Sequence, residues 1–440
     1  MTRWKPLSFT LTATASLMML TASCAQPVPP ADVQAWQDDA DAFVARLEME
    51  HENPFFHTPE EDFRQAVRDY KSNIAGMSRA QRIVGLAHLA AIVGDGHTWM
   101  PMHAVPFDGL PPGPGFRSLP IRFELFDDGL YVVGTTPAFA DLLGGRVETI
   151  GHVSVDQAIA KVMTLLPQDA TRFASEFAAE WLMQSELLEA LEISTASDLI
   201  SISVSRGDNT QSAQVAPLQA GAMYDWIASM DGGPSGEDWV TAPDHVPLWR
   251  EEFGASWRWQ VLDGVTYLQI KEIRNGSEQT LAEMAQQALA AGQAANASSI
   301  IIDLRRCSGG NGDLNNGLMA AVQQHLAQEP DAQLAVLTSR QTHSAAIMLV
   351  SKLEQQTTAR FFGQATADRP NHHGETNIFV TPNSHLPIVH ASEYYQTSTV
   401  GDLRPYRVPD EIIPYYFEDY IRGNDPVLAA ARTYLTGEIQ

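Results

Sequence analysis

The stretch Ile300-Ile301-Ile302-Asp303-Leu304-Arg305-Arg306-Cys307-Ser308-Gly309-Gly310-Asn311 decides the fold. Ile300 to Leu304 is a short unbroken apolar run, the signature of a strand covered on both faces. A glycine turn ends it, and a helical pattern from Leu314 to Ala327 follows. The same alternation extends outward in both directions. Upstream lie a strand at Val265 to Ile270 and an Ala-rich helix at Glu278 to Ala291; downstream lie a buried strand at Leu334 to Leu337 and a helix at Ser344 to Leu353. Apolar strands alternating with helices imply a largely parallel α/β sheet with helices on both sides.

The chain before about Val240 has another grain. Thr58-Pro59-Glu60-Glu61 reads as a capping box opening a helix from Pro59 to about Asn73, and Ser78-Arg79-Ala80-Gln81 repeats the logic. Behind it Ile83, Leu86, Ala87 and Ala90 form one apolar helix face, which ends in Gly94-Asp95-Gly96-His97. Pro111-Pro112-Gly113-Pro114-Gly115 reads as a linker. Beyond it, alternation at Ile121, Phe123 and Leu125, and again at Leu130 and Val132, predicts a hairpin with the three-residue turn Asp127-Asp128-Gly129. A strand at Val147 to Ile150, a helix from about Ser154 and alternation from Ile200 to Ser205 complete a small α+β module of short strands around two helices.

At 440 residues, with 44% hydrophobic and 18% charged, the chain has room for about three domains and large cores that need no disulfide or metal. The formal net charge of −25 argues against nucleic acid or an anionic bilayer as the main partner. The first residues form a secretory signal: Arg3 and Lys5, an uncharged apolar segment from Leu7 to Leu20, then Thr21-Ala22-Ser23-Cys24-Ala25. The Ala-Ser-Cys ending resembles a lipoprotein signal that leaves Cys24 lipidated, and cleavage after Ala25 is the alternative. Pro-rich Gln26 to Asp32 reads as a tether. Of the two cysteines only Cys307 lies outside the signal, so no intrachain disulfide is expected there, and its setting reads as a structural thiol.

Two loops of the α/β part follow strand ends, where open sheets place ligands. In the first, adjacent Gly309 and Gly310 let backbone N–H groups approach a ligand. In the second, Leu337-Thr338-Ser339-Arg340-Gln341-Thr342-His343-Ser344-Ala345-Ala346, Ser344 opens an apolar helix. It reads either as an N-cap or as a nucleophile served by the helix dipole and free N–H groups. Its neighbour His343 is expected to face elsewhere. His372-His373, with Glu375 near, reads as a polar loop, and no metal or cofactor is expected.

These motifs, in this order, resemble those of the tail-specific (C-terminal processing) proteases and tricorn-core-like serine peptidases. Asp303-Leu304-Arg305 with Gly309-Gly310 resembles their glycine loop, and Thr342-His343-Ser344-Ala345-Ala346 their nucleophile turn. Gly363-Gln364-Ala365-Thr366 resembles the Gly-x-x-Thr that follows, Asp95-Gly96-His97-Thr98 the histidine motif of the tricorn-like branch, and Pro409-Asp410 a late Pro-Asp pair. The resemblance implies a crotonase/ClpP-like α/β protease core at residues 217–440, a degenerate PDZ-like module with a helical insertion at 116–216, an N-terminal helical segment at 26–110 and a signal peptide at 1–25.

It further implies peptide or protein substrates, Ser344 as nucleophile, and an oxyanion hole from Gly309, Gly310 and Ala345. Arg369 stands where the tail-specific branch places a lysine base; a guanidinium does not deprotonate, so His97 is the expected base and Arg369 an ion-pair or carboxylate-binding residue. The acid that orients His97 stays open among Glu375, Glu393 and Asp402. The expected protein is thus an exported, periplasmic or membrane-tethered bacterial serine peptidase. The alternatives are a degenerate peptide- or ligand-binding protein on the same fold, and an esterase or amidase using the same pair.

Overall fold

The structure is a computed structural model that describes residues 30–102, 112–169, 171–220, 240–242, 246–251 and 254–437. The expected signal peptide lies outside the described residues. Three helices open the described chain: α1 (Pro30–Glu50), α2 (Glu60–Asn73) and α3 (Arg79–Ala91). The expected tether is shorter than Gln26 to Asp32, because Pro30 already starts a helix and Asp32 pairs with Arg82. The Thr58 box does not form: its hydroxyl donates instead to the Ile92 carbonyl, and Pro59 takes the N-cap without a side-chain bond. Glu60, Glu61 and Asp62 support that first turn through the helix dipole. The Ser78 box does form, with Gln81 N–H donating to Ser78 Oγ at 3.2 Å and Ser78 N–H to Gln81 Oε1 at 2.9 Å. Ile83, Leu86, Ala87 and Ala90 are all buried, as the periodicity requires.

The second part is an antiparallel sheet with three short helices rather than two. Its elements are β1 (Ile121–Phe126), β2 (Gly129–Thr135), β3 (Arg146–Ile150), β4 (Val153–Ser154), α4 (Val155–Met163), α5 (Thr171–Trp181), α6 (Ser185–Ala190), β5 (Ile200–Arg206), β6 (Asn209–Val215) and β7 (Val240–Thr241). The order is β1-β2-β3-β5-β6, with β4 on β3 and β7 on β2. The β1–β2 turn has two residues, not three, because Gly129 pairs with Phe126. Its two aspartates are drawn toward the C-terminal segment: Tyr415 N–H donates to Asp127 and Phe417 N–H to Asp128.

The third part holds β8 (Trp257–Leu262), β9 (Val265–Ile270), α7 (Leu281–Ala294), β10 (Ser299–Asp303), α8 (Asn315–Gln328), β11 (Leu334–Thr338), α9 (Ala345–Gln356), β12 (Arg360–Gly363), β13 (Asn371–Val380), β14 (Pro387–Gln396), β15 (Glu411–Ile412), α10 (Phe417–Arg422) and α11 (Pro426–Thr436). Strands β15-β12-β11-β10-β9 run parallel, and β8 closes the edge antiparallel to β9. Alternation along the strands sends Ile300, Ile302 and Val336 into one core with α7, α8 and α9, and Ile301, Leu337 and Phe362 into another with α11.

The expected polar loop at His372-His373 is instead the start of β13, which pairs with β14 over the full length of both strands. Its first four residues are buried, since this hairpin packs on the N-terminal helices: Phe379, Leu386 and Ile388 join the core that contains Phe43, Phe63 and Leu86. The hairpin therefore connects the N-terminal helices to the strand-and-helix part, and His97 lies at that seam.

Candidate active site

Ser344 sits half-buried at the entry to α9 with φ 53° and ψ −125°. A positive φ at a non-glycine residue is strained backbone, and it persists only where the surroundings enforce it. Here they do. His343 N–H donates to the Cys307 carbonyl at 3.0 Å, Thr342 Oγ1 to the Leu304 carbonyl at 2.9 Å, and Ala367 N–H to the Thr342 carbonyl at 3.0 Å. The Ser344 hydroxyl makes no capping bond, so its N-cap reading fails and the side chain is left for other work.

The glycine loop packs directly against this turn. A Cβ placed on Gly309 would come within 2.7 Å of Ser344 Cβ and 3.3 Å of the Ala345 nitrogen, so only glycine fits. Gly309 and Gly310 take φ of 125° and 121°, and the loop is held by Ile273, whose N–H donates to the Gly309 carbonyl at 2.7 Å. Ala345 is the first residue of α9, and its N–H has no intrahelical acceptor by helix geometry. Cys307 is buried and its thiol is pushed up to about 12 by desolvation, which suits a structural thiol.

His97 reaches the site on a turn built by Asp95, whose Oδ1 accepts the His97 N–H at 2.9 Å while His51 Nε2 lies 3.1 Å from Oδ2. Burial opposes the Asp95 charge, but His51, Thr98 and that N–H hold its carboxyl below the usual range. The turn docks on β14: Ala391 N–H donates to Thr98 Oγ1 at 3.1 Å, and Trp99 bridges Val389. The His97 ring then stacks on His343 at a centroid separation of 4.5 Å and on His372 at 5.6 Å. His343 thus faces the site, against the expectation that it would diverge from Ser344.

Burial, with the neighbouring imidazoles, puts His97 well below its ordinary pKa, so it is neutral at physiological pH. His343, desolvated beside His372, is lowered to about 3. An acid that the sequence reading did not single out, Asp368, also faces these histidines: its Oδ2 lies 3.9 Å from His97 Nδ1 and 3.4 Å from His343 Nε2. Burial and nearby Asp169 raise its carboxyl well above the ordinary value. Glu375 is engaged by Tyr395, Asp402 by Arg404, and Glu393 is exposed. Arg369 pairs with Asp169, one of the two roles expected of it. The available signal for Asp368 was its place two residues after Thr366.

No protein-family model and no curated protein sequence matches the chain. Among solved structures, mature CPAF complexed with lactacystin superposes with a TM-score of 0.64 over 92% of this chain and 99% of that one, at 12% identity. The photosystem II D1 C-terminal processing protease aligns over 91% of this chain and 99% of its own, with a TM-score of 0.40 and 12% identity. Tricorn protease aligns over 92% of this chain but 36% of its own, with a TM-score of 0.36 and 13% identity. The fold thus resembles that of mature CPAF.

Proposed function

We propose that this chain is an exported serine peptidase in which Ser344 is the nucleophile and His97 the general base. The observation that carries the reading is Ser344 itself: a strained helix-opening serine whose hydroxyl caps nothing, with Gly309 against it and His97 stacked on the preceding residue. Ser344 Oγ adds to the substrate carbonyl carbon as its proton passes to His97 Nε2 or Nδ1. N–H groups of Gly309 or Gly310 and Ala345 hold the oxyanion, and the imidazolium returns its proton to the leaving amine. Water then hydrolyses the acyl ester by the same route, with Asp368 positioning His97.

On this reading residues 217–440 are a crotonase/ClpP-like core, 26–110 the helical segment, and the antiparallel sheet of 116–216 a PDZ-like module that captures an extended peptide by strand addition. A lipid on Cys24 tethers the mature chain in a bacterial periplasm; mass spectrometry finding an unmodified start at Gln26 would refute the tether and leave export intact.

A fluorophosphonate probe tests the chemistry. Labelling at Ser344 is expected, together with cleavage of an unfolded protein substrate, and both should vanish in Ser344→Ala and His97→Ala, with the double variant no worse than either. A folded protein that takes no label and cleaves nothing would instead be a binding protein.

A further inference from the structure

The floor of the site gathers more ligating atoms than a serine and its base require. One donor atom each from His97, Asp368 and His372 lies within 4.8 Å of the other two, and all three residues are buried. Asp368 Oδ2 has no hydrogen-bond partner among the described residues, and a backbone contact with His373 leaves at least one His97 ring nitrogen unpartnered as well. Buried polar atoms are nearly always hydrogen-bonded, so such atoms in one pocket call for a ligand. His372 is already set: its Nδ1 donates to the Arg369 carbonyl at 3.1 Å, which leaves the Nε2 lone pair for coordination. That is the outer contact by which metal-binding histidines are oriented. The 3.9 Å between His97 Nδ1 and Asp368 Oδ2 needs to close by only about half an ångström to reach the ligand spacing of a tetrahedral ion with bonds of about 2.1 Å.

We propose that His97, Asp368 and His372 bind one divalent cation of the zinc class, and that the bound ion switches the serine chemistry off. Imidazoles with one carboxylate select such borderline ions over magnesium or calcium. Three protein ligands leave the fourth position of a tetrahedron to water or substrate. The switch rests on His97 as base: an imidazole whose lone pair is on a metal cannot take the Ser344 proton. His372, read from the sequence as part of a polar loop with no metal, is one of the three donors here, while Glu375 turns to Tyr395.

The full-length protein, stripped with chelator, is titrated with zinc by calorimetry and assayed for retained metal after desalting. One zinc per chain is expected in the wild type and in Ser344→Ala. Binding at least tenfold weaker is expected in Asp368→Asn and in His372→Gln, each checked by circular dichroism so that either folded variant suffices. Cobalt in place of zinc should give visible bands of tetrahedral type. Stoichiometric zinc should block fluorophosphonate labelling of the wild type, and chelator should restore it. Zinc that is not retained, or is retained equally by the folded variants, overturns the site; zinc retained with undiminished labelling overturns the switch. If the serine reading is what fails, the metal-free wild type takes no label while zinc retention in Ser344→Ala still stands; that overturns the switch and leaves the site.

Discussion

Gly309 fixes what Ser344 can do. A methyl there meets Ser344 Cβ at 2.7 Å, at a φ of 125° that alanine adopts only under strain. Gly309→Ala should therefore lower kcat/KM by about a hundredfold or more, the scale of losing an oxyanion donor, while thermal melts show a loss of about 1–3 kcal/mol. Unchanged turnover would place the oxyanion elsewhere. The buried imidazoles make a second prediction for the metal-free protein. His373 is lowered to about 4 and His343 to about 3, in both cases first by desolvation. Above the unfolded value near 6.5 both states are neutral and stability is complete. Below it the unfolded chain takes up protons that the folded chain refuses, so stability falls from about pH 6.5 down to about 4 and 3. Denaturant midpoints should drop between pH 7 and 5, less steeply in His373→Gln; a flat profile would contradict the assignment. At this scale the glycines, Ser344 and His97 were legible as motifs. His343 was not, because the rule that neighbouring side chains diverge holds for regular backbone, and Ser344 has left it. Asp368 hid beside Arg369, where an acid reads as a surface ion pair.

The β13–β14 hairpin shows why one element escaped the sequence. Its opening, Asn371-His372-His373-Gly374-Glu375-Thr376, has polar residues where a buried strand ordinarily carries apolar ones. Tertiary packing overrides pattern there: His372 and His373 point into a histidine-rich seam, and only the Ile378 to Val380 end looks like a strand. The strands β9, β10 and β11, by contrast, were legible almost to the residue, since burial on both faces favours apolar residues along most of their length. The hairpin holds the His97 turn through backbone bonds between Trp99 and Val389 and through a bond from Ala391 N–H to Thr98 Oγ1 at 3.1 Å. Thr98→Val keeps the shape and orphans that buried N–H, at a cost of about 1–3 kcal/mol. Because the loosened turn carries the proposed base, kcat should fall about tenfold with KM little changed. Equal loss in both parameters would mean the turn shapes substrate binding instead.

Across the whole molecule, the α+β module is tied to the nucleophile turn by charge. Glu176 on α5 pairs with Arg340 and accepts from Gln341 Nε2 at 2.7 Å, both in the loop that leads to Ser344, and Arg340 also donates to the Leu125 carbonyl on β1. Beside this contact Glu124 pairs with Arg250, and Asp127 accepts from Gln364. None of this follows from periodicity, because an ion pair between residues more than a hundred positions apart leaves no local pattern; the net charge of −25 even favours reading Glu176 as solvated surface. On the proposed reading, the module then acts on catalysis through this loop as well as through any substrate it holds. Glu176→Ala should leave both cores intact, since it buries no apolar group, yet free the 340–341 loop. Turnover should fall about tenfold, while the melting temperature drops by only a few degrees, because partly exposed pairs contribute little to stability. Arg340→Ala should do the same, and the double variant should match the worse single, as expected for two residues in one network. Glu60→Ala, which removes an exposed partner of Arg64 far from this loop, is the control and should change neither. Additive losses at 176 and 340 would show that each acts on stability alone and that the module does not reach the nucleophile through this bridge.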